Sequence, residues 1–194
     1  MFQQTPDPSL GLSINSKSLM LPEELDALFN LVPKEGVVLE IGTFHGATVA
    51  QLAIRNPGVL FYSVDPLFWK RAGLKWYENR QPNMRLLTGT SADLMVLKTG
   101  RVFDLIIVDG DHSYDACYND LKASEKLIKS GCPIAVHDYA RGTLRKTLAR
   151  AVVHAVNHFC RVRRYKIREI VGTMAILEVN NDQNDPKREP DRNE

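Results

Sequence analysis

Short, nearly continuous apolar runs alternate along this chain with apolar positions spaced by three and four, from residue 36 to about residue 159. Such alternation marks a parallel sheet with crossover helices on both faces, because a strand covered on both sides has no polar face to show. The strands predicted are Val37 to Ile41, Leu60 to Val64, Met84 to Leu87, Leu105 to Val108 and Ile134 to Val136. Between them Tyr114, Cys117, Tyr118, Leu121 and Ile128 recur at helical spacing, as do Leu144, Leu148, Ala151, Val152, Ala155, Val156 and Phe159. A shorter helix opens at Pro22, the favoured first-turn position for proline, and runs through Leu25, Leu28 and Phe29. After residue 160, Val162 to Ile170 and Thr173 to Val179 flank Val171-Gly172, which predicts an antiparallel strand pair at the end of the sheet. The fold class expected is α/β, a doubly wound and mostly parallel sheet of seven strands.

The length of 194 residues allows one such domain with a real core. We place it at 21–179, after an extension at 1–20 and before a polar, charged tail at 180–194 that is expected to be disordered. Apolar and charged fractions of 44% and 25% are those of ordinary globular domains. No apolar run approaches the roughly 20 residues that span a bilayer, and the first residues lack a basic leader, so no membrane partner and a cytoplasmic location are expected. Cys117, Cys132 and Cys160 are widely spaced, which signals neither a disulfide framework nor a zinc knuckle. The formal net charge is only +2, yet Arg141 to Arg168 holds nine Lys or Arg and no acid, a local bias toward an anionic partner.

Chemistry enters first at the segment Val37-Val38-Leu39-Glu40-Ile41-Gly42-Thr43-Phe44-His45-Gly46-Ala47-Thr48. It reads as a strand, a turn with glycines four apart, and a helix start whose N–H groups are free for a ligand. A dinucleotide-binding turn needs glycine where Phe44 stands, and a phosphate loop needs Gly-Lys-Ser/Thr, so neither applies. Asp65, at the end of the second strand, is positioned to accept hydrogen bonds from ribose hydroxyls, though an Asp before Pro66 can also simply begin a turn. Thr88 to Asp93 follows the third strand, where Ser91 and Asp93 are ligand contacts or only a helix cap.

Two further strand ends carry titratable groups. The run Phe103-Asp104-Leu105-Ile106-Ile107-Val108-Asp109-Gly110-Asp111-His112-Ser113-Tyr114 delivers Asp109, Asp111 and His112 to the carboxyl edge of the sheet, and Val136-His137-Asp138-Tyr139 delivers His137 and Asp138 beside them. Taken singly, Asp111 or Ser113 can cap the next helix. Five such groups converging in a crevice point to function instead.

The Glu40-x-Gly42-x-x-x-Gly46 turn resembles the first motif of class I S-adenosylmethionine-dependent methyltransferases, whose sheet is Rossmann-like. The pair Asp-Gly-Asp-His-Ser-Tyr and His-Asp-Tyr is similar to the sugar and macrolide O-methyltransferase branch. The resemblance covers roughly residues 30 to 160. It implies that S-adenosylmethionine contacts Glu40, Gly42, Thr43, Phe44, Gly46, Asp65, Ser91 and Asp109, with Glu40 at the methionine end and the loop after the third strand along the adenine. It also implies a divalent ion on Asp109, His137 and Asp138, with Asp111 as base. Relatives carry paired acids where this chain has His137, a donor less suited to Mg²⁺ than to Mn²⁺, Fe²⁺ or Zn²⁺. Should no ion bind, His112 or His137 is the base expected.

The acceptor expected is a small hydroxylated molecule, in a pocket either open or completed by a second copy in a homo-oligomer. Two alternatives stand beside it. The basic stretch Arg141 to Arg168 fits an RNA or protein substrate, although no Asn-Pro-Pro-aromatic tetrapeptide follows the fourth strand and Arg145, Lys146 and Arg150 also fit a solvated helix face. A catalytically silent scaffold on the same fold is the other. His154 and His158, four apart on a helix, lack a third ligand and read as a helix flank. Leu67 to Tyr77 mixes aromatics with cations, as a lid, a partner surface or a packed helix does.

Overall fold

The computed structural model describes residues 18–66, 80–96, 102–140 and 146–181. Along the chain these form α1 (Pro22–Leu31), β1 (Gly36–Ile41), α2 (Ala47–Arg55), β2 (Val59–Asp65), β3 (Met84–Thr88), α3 (Ser91–Val96), β4 (Leu105–Val108), α4 (Tyr114–Leu127), β5 (Ile134–Val136), α5 (Lys146–Val162), β6 (Tyr165–Val171) and β7 (Met174–Val179). Among the described residues one seven-stranded sheet has the order β3-β2-β1-β4-β5-β7-β6. The strands β1 to β5 pair in parallel, and β7 runs antiparallel to both of its neighbours, β5 and β6. This is the doubly wound α/β class expected from the apolar pattern, with the Rossmann-like sheet that the resemblance implies.

Alternate residues of each central strand enter opposite cores. Leu39, Ile106, Val108, Ile134 and Val136 pack with Cys117 and Leu121 of α4 and Val152, Val156 and Phe159 of α5. Val38, Leu105, Ile107 and Ala135 face the other side, with Leu28 of α1 and Val49, Leu52 and Ala53 of α2. Burial on both faces explains why these strands read as continuous apolar runs. Phe159 is fully buried, and truncating it to Ala would cost about 3–5 kcal/mol.

Two boundaries differ from the sequence reading. Helix α5 continues through Val162, with the Arg163 N–H still bonded to the Phe159 carbonyl at 2.8 Å, so β6 begins at Tyr165. Strand β6 then reaches Val171, and the turn moves to Gly172-Thr173, with Gly172 at φ 58°. The expectations for Leu67 to Tyr77, for Leu144 and Arg145, and for nearly all of the extension and tail fall outside the described residues.

Because β1 pairs with β2 on one side and β4 on the other, the crossovers leave it in opposite directions. A crevice opens at the carboxyl ends of these strands, the place where ligands bind in open α/β sheets.

Candidate functional site

At the end of β1 the chain leaves the sheet through Gly42, at φ 98°. A Cβ there would lie 2.1 Å from the Asp109 carbonyl oxygen and 2.7 Å from Gly110 Cα. The ends of β1 and β4 can therefore meet only if residue 42 has no side chain. The Thr43 and Phe44 N–H groups both donate to Asp65 Oδ2, each at 3.1 Å, tying the turn to the end of β2. Phe44 sits at φ 46°, and its ring, 44% exposed, stacks on His45 at 3.7 Å. Such a left-handed non-glycine residue costs on the order of 1 kcal/mol and persists where surrounding bonds enforce it. Gly46, at φ 69°, then caps α2.

Beneath the turn, Glu40 is buried. Ser63 Oγ donates to its Oε2 at 2.5 Å, and Ser63 and Thr43 share a hydroxyl bond of 2.7 Å. Burial pushes the Glu40 carboxyl up to about 8, against the Ser63 hydrogen bond and with the help of Asp109 and Asp65.

The other end of the crevice is made by β4 and β5. Their register pairs Val108 with Val136, which sets Asp109 beside His137. Asp138 follows at φ 58°, and its Oδ2 lies 3.2 Å from His137 Nδ1 and 3.0 Å from His112 Nε2. His137 Nδ1 is also 3.1 Å from Asp109 Oδ1. Short as these separations are, neither His137 Nδ1 nor His112 Nε2 makes a hydrogen bond of acceptable angle, and both atoms are buried. Burial pulls the His137 imidazole down, but hydrogen-bond-range contact with the Asp109 and Asp138 carboxylates overrides it and pushes the group up to about 11. Asp138 is penalised by burial yet held well below the usual carboxylate range by His112 and His137. His112 is raised, first by Asp138 and with Asp109 assisting.

Behind His137 stands Glu24 of α1, with 0% exposure. Its Oε2 lies 3.1 Å from His137 Nε2 and accepts the Leu21 N–H at 2.7 Å, while its Oε1 accepts the Thr173 N–H at 2.6 Å and the Thr173 hydroxyl at 2.7 Å. Burial works against its charge, but the bonds from Leu21 and Thr173 keep the carboxyl below its ordinary value. Three carboxylates thus enclose one imidazole, an arrangement that calls for positive charge.

Asp109, His137 and Asp138 each offer a ligand atom, all within 4.8 Å of one another. Two hard oxygens, one imidazole nitrogen without a hydrogen bond and a carboxylate behind the ring fit a divalent ion of the Mn²⁺ type.

Both ends open into one crevice of about 700 Å³, lined by Glu40, Gly42, Thr43, Phe44, Asp65, Ser91, Asp109, Asp111, His112, His137 and Asp138 among others. All the site residues expected from the sequence except Gly46 and Asp93 line it; Gly46 stands just behind as the cap of α2, and Asp93 accepts from the Thr90 N–H and hydroxyl at the start of α3. Asp111 is exposed at the lip, with its Oδ1 accepting the Ser113 N–H at 2.7 Å. Ser91 spends its hydroxyl on Asp120 Oδ1 at 2.6 Å. Asp120, absent from the sequence reading, lines the crevice, and burial pushes its carboxyl up to about 6. Glu24 was likewise missed, its one local signal being an acid in the first turn of α1. His154 is exposed, and His158 bonds the Tyr114 hydroxyl and stacks on Tyr118. The three cysteines are free thiols.

Along the basic stretch Arg163 lies 3.7 Å from Glu125, Lys166 lies 3.1 Å from Glu178 and Arg168 lies 2.6 Å from Glu169. No helix among the described residues is long and apolar enough to cross a membrane.

A family model described as a methyltransferase domain matches residues 39–139, just over half of the chain. No curated protein sequence matches. Solved structures of similar fold include the cofactor-bound Rv0187 from MTB, 19% identical over 90% of this chain and 86% of that one, with a TM-score of 0.63. A proposed O-methyltransferase from Klebsiella pneumoniae is 17% identical over 89% and 85%, with a TM-score of 0.62. The methyltransferase PaMTH1 of Podospora anserina, solved with bound SAH, is 16% identical over 80% and 75%, also at 0.62.

Proposed function

The chain belongs to the methyltransferase-domain family, and we propose that it moves a methyl group from S-adenosylmethionine to a hydroxyl oxygen of a small acceptor with the help of a divalent ion. One observation carries this reading: the glycine cradle and the cation-demanding cluster face the same crevice. The SAH bound to the Podospora relative and the O-methyltransferase description of the Klebsiella one support it.

When bound, S-adenosylmethionine supplies a methyl already activated by its sulfonium, so transfer needs only an aligned oxygen and a destination for the acceptor's proton. Asp109, His137 and Asp138 would hold an ion whose positive charge would lower the pKa of a nearby hydroxyl. The chain's own residues do the rest. Gly42 and the Thr43 and Phe44 backbone form the floor on which the cofactor rests, and Asp65 fixes that floor while serving the ribose. Glu40 faces the methionine end, where a ligand ammonium would restore its charged form. Asp111, at the lip and oriented by the Ser113 N–H, receives the acceptor's proton. Without an ion His112 is the substitute base, whereas His137 has both ring nitrogens turned to carboxylates and is kept as a ligand.

A small acceptor is favoured over nucleic acid by the basic stretch itself. Three of its cations lie within ion-pair range of neighbouring acids, which leaves fewer for phosphates.

Calorimetry with S-adenosylhomocysteine, followed by transfer of labelled methyl to a panel of pyranosides, catechols and polyols with Mn²⁺ or Mg²⁺, tests the reading. An O-methyl ether detected by mass spectrometry is the expected product, and absence of S-adenosylhomocysteine binding would overturn the assignment. Asp111→Asn should lower turnover by about 10²- to 10⁴-fold, the usual range for a general base, with S-adenosylhomocysteine affinity unchanged. Turnover like that of the native chain removes Asp111 from the role.

A further inference from the structure

We infer that Glu24 is a positioning residue that makes His137 a metal ligand, holding the ring with its proton on Nε2 so that Nδ1 is the donor. This rests on the ion reading above and adds the residue that creates the ligand.

The argument is one of hydrogen-bond accounting. The Glu24 carboxylate is fully enclosed, and each of its oxygens has two partners. The Leu21 and Thr173 N–H groups can only donate, and the short Thr173 hydroxyl contact completes Oε1. An ionised, acceptor-only carboxylate satisfies all of them, so the remaining contact, His137 Nε2 at 3.1 Å, must also be a donor. An imidazole that binds an ion is neutral, and one that keeps its proton on Nε2 offers its lone pair at Nδ1. That atom is buried, 3.1 Å from one carboxylate oxygen and 3.2 Å from another, with no hydrogen bond of its own. The in-plane direction of Nδ1 points at neither oxygen, and a cation shared by the three atoms would take up that lone pair together with both carboxylate charges.

Capping α1 would account for the Leu21 bond alone. It does not account for the clamp from the β6–β7 turn, 149 residues away in sequence, or for the crowding there: a Cβ at residue 172 would lie 2.7 Å from Glu24 Oε1. Two remote parts of the chain converge on a carboxylate that touches no solvent, and its one functional neighbour is His137.

The test uses the full chain labelled with ¹⁵N-histidine, followed by two-bond ¹H–¹⁵N correlation during titration with Zn²⁺ alone. The His137 signals are assigned by their loss in His137→Gln. The expected result is a coordination shift at Nδ1 with Nε2 still protonated. A shift at Nε2 instead overturns the inference. In parallel, Mn²⁺ affinity is measured for the native chain, Glu24→Gln and Thr173→Val. Loss of the outer carboxylate should weaken binding about tenfold to a hundredfold, and loss of the Thr173 hydroxyl less. A folded Glu24→Gln chain with native Mn²⁺ affinity overturns the role of Glu24 and leaves the ion reading standing. If that variant does not fold, the ¹⁵N shifts of the native chain decide. A native chain that binds neither ion overturns the ion reading and this inference together, while S-adenosylhomocysteine binding is scored separately.

Discussion

At the β1 end of the crevice the surface offered to a ligand is largely backbone, bent by Gly42 and Gly46 and fastened by two N–H bonds to Asp65. At the β4–β5 end it is side chains, held apart and together by charge, with support from a helix and a hairpin distant in sequence. The first arrangement is rigid without a ligand, because it depends on sterics and on bonds that already exist. The second sets three carboxylates around one imidazole, which they hold strongly toward its protonated form. One end is thus a shape, the other a demand.

Substitutions that act on only one of these properties separate the two ends. The largest effect is expected for Gly42→Ala, whose Cβ would overlap the Asp109 carbonyl in a backbone conformation that disfavours side chains. A loss on the order of 3 kcal/mol or more should appear in denaturant unfolding. A smaller loss would mean the two strand ends can separate, and the cradle would not be steric after all. Next comes a pair at Asp138, which occupies the left-handed region. Asparagine tolerates that conformation and alanine does not, so Asp138→Asn should abolish most Mn²⁺ affinity and lose only the stabilisation that the carboxylate draws from His112 and His137. Asp138→Ala should add a penalty of about 1 kcal/mol. Equal stabilities for the two variants would show that strain plays no part there.

Glu40→Gln probes the carboxyl beneath the glycine turn. Its folded carboxyl is raised from 4.5 to about 8, so the folded chain holds the proton more tightly than the unfolded one. The stability this contributes is complete below pH 4.5 and is lost as pH rises through about 8, a difference of up to a few kcal/mol. Melting curves across that window should slope downward for the native chain and flatten for the variant. Parallel curves would remove Glu40 as the source. The smallest effect is expected at Ser113, whose hydroxyl accepts the Ala116 N–H at 3.4 Å as the cap of α4. Ser113→Ala should cost about 1 kcal/mol or less, with Mn²⁺ and S-adenosylhomocysteine binding untouched.

The same contrast decides what could be read before the structure. Five strands and the glycine turn are legible because each leaves a local signature: apolar runs for strands buried on both faces, and two glycines four apart after a strand, although the contact that requires Gly42 is with distant Asp109. The convergence of Asp109, His137 and Asp138 followed from placing two strand ends at one edge of a parallel sheet. Glu24 could not be found that way, since its partners lie 113 and 149 residues away and its local position suits a helix cap equally well. Ser91 illustrates the opposite error of detail. It lines the crevice as expected, but its hydroxyl serves Asp120, a residue whose helical spacing said nothing of its depth. The start of β6 was misread because Val162 stands between arginines, as an alternating strand residue would, and yet continues the stripe of α5 three residues after Phe159.

The hairpin that clamps Glu24 also has a temporal meaning. Ribosomes release a chain from its N-terminus, and Thr173 emerges after every proposed ligand, after the cradle and after all of α5. A nascent chain halted before that point would carry the full set of donor atoms with its outer carboxylate held on one side only. Competence to retain a metal would therefore arrive late in synthesis, when the last two strands close onto β5 and bring the turn down over α1.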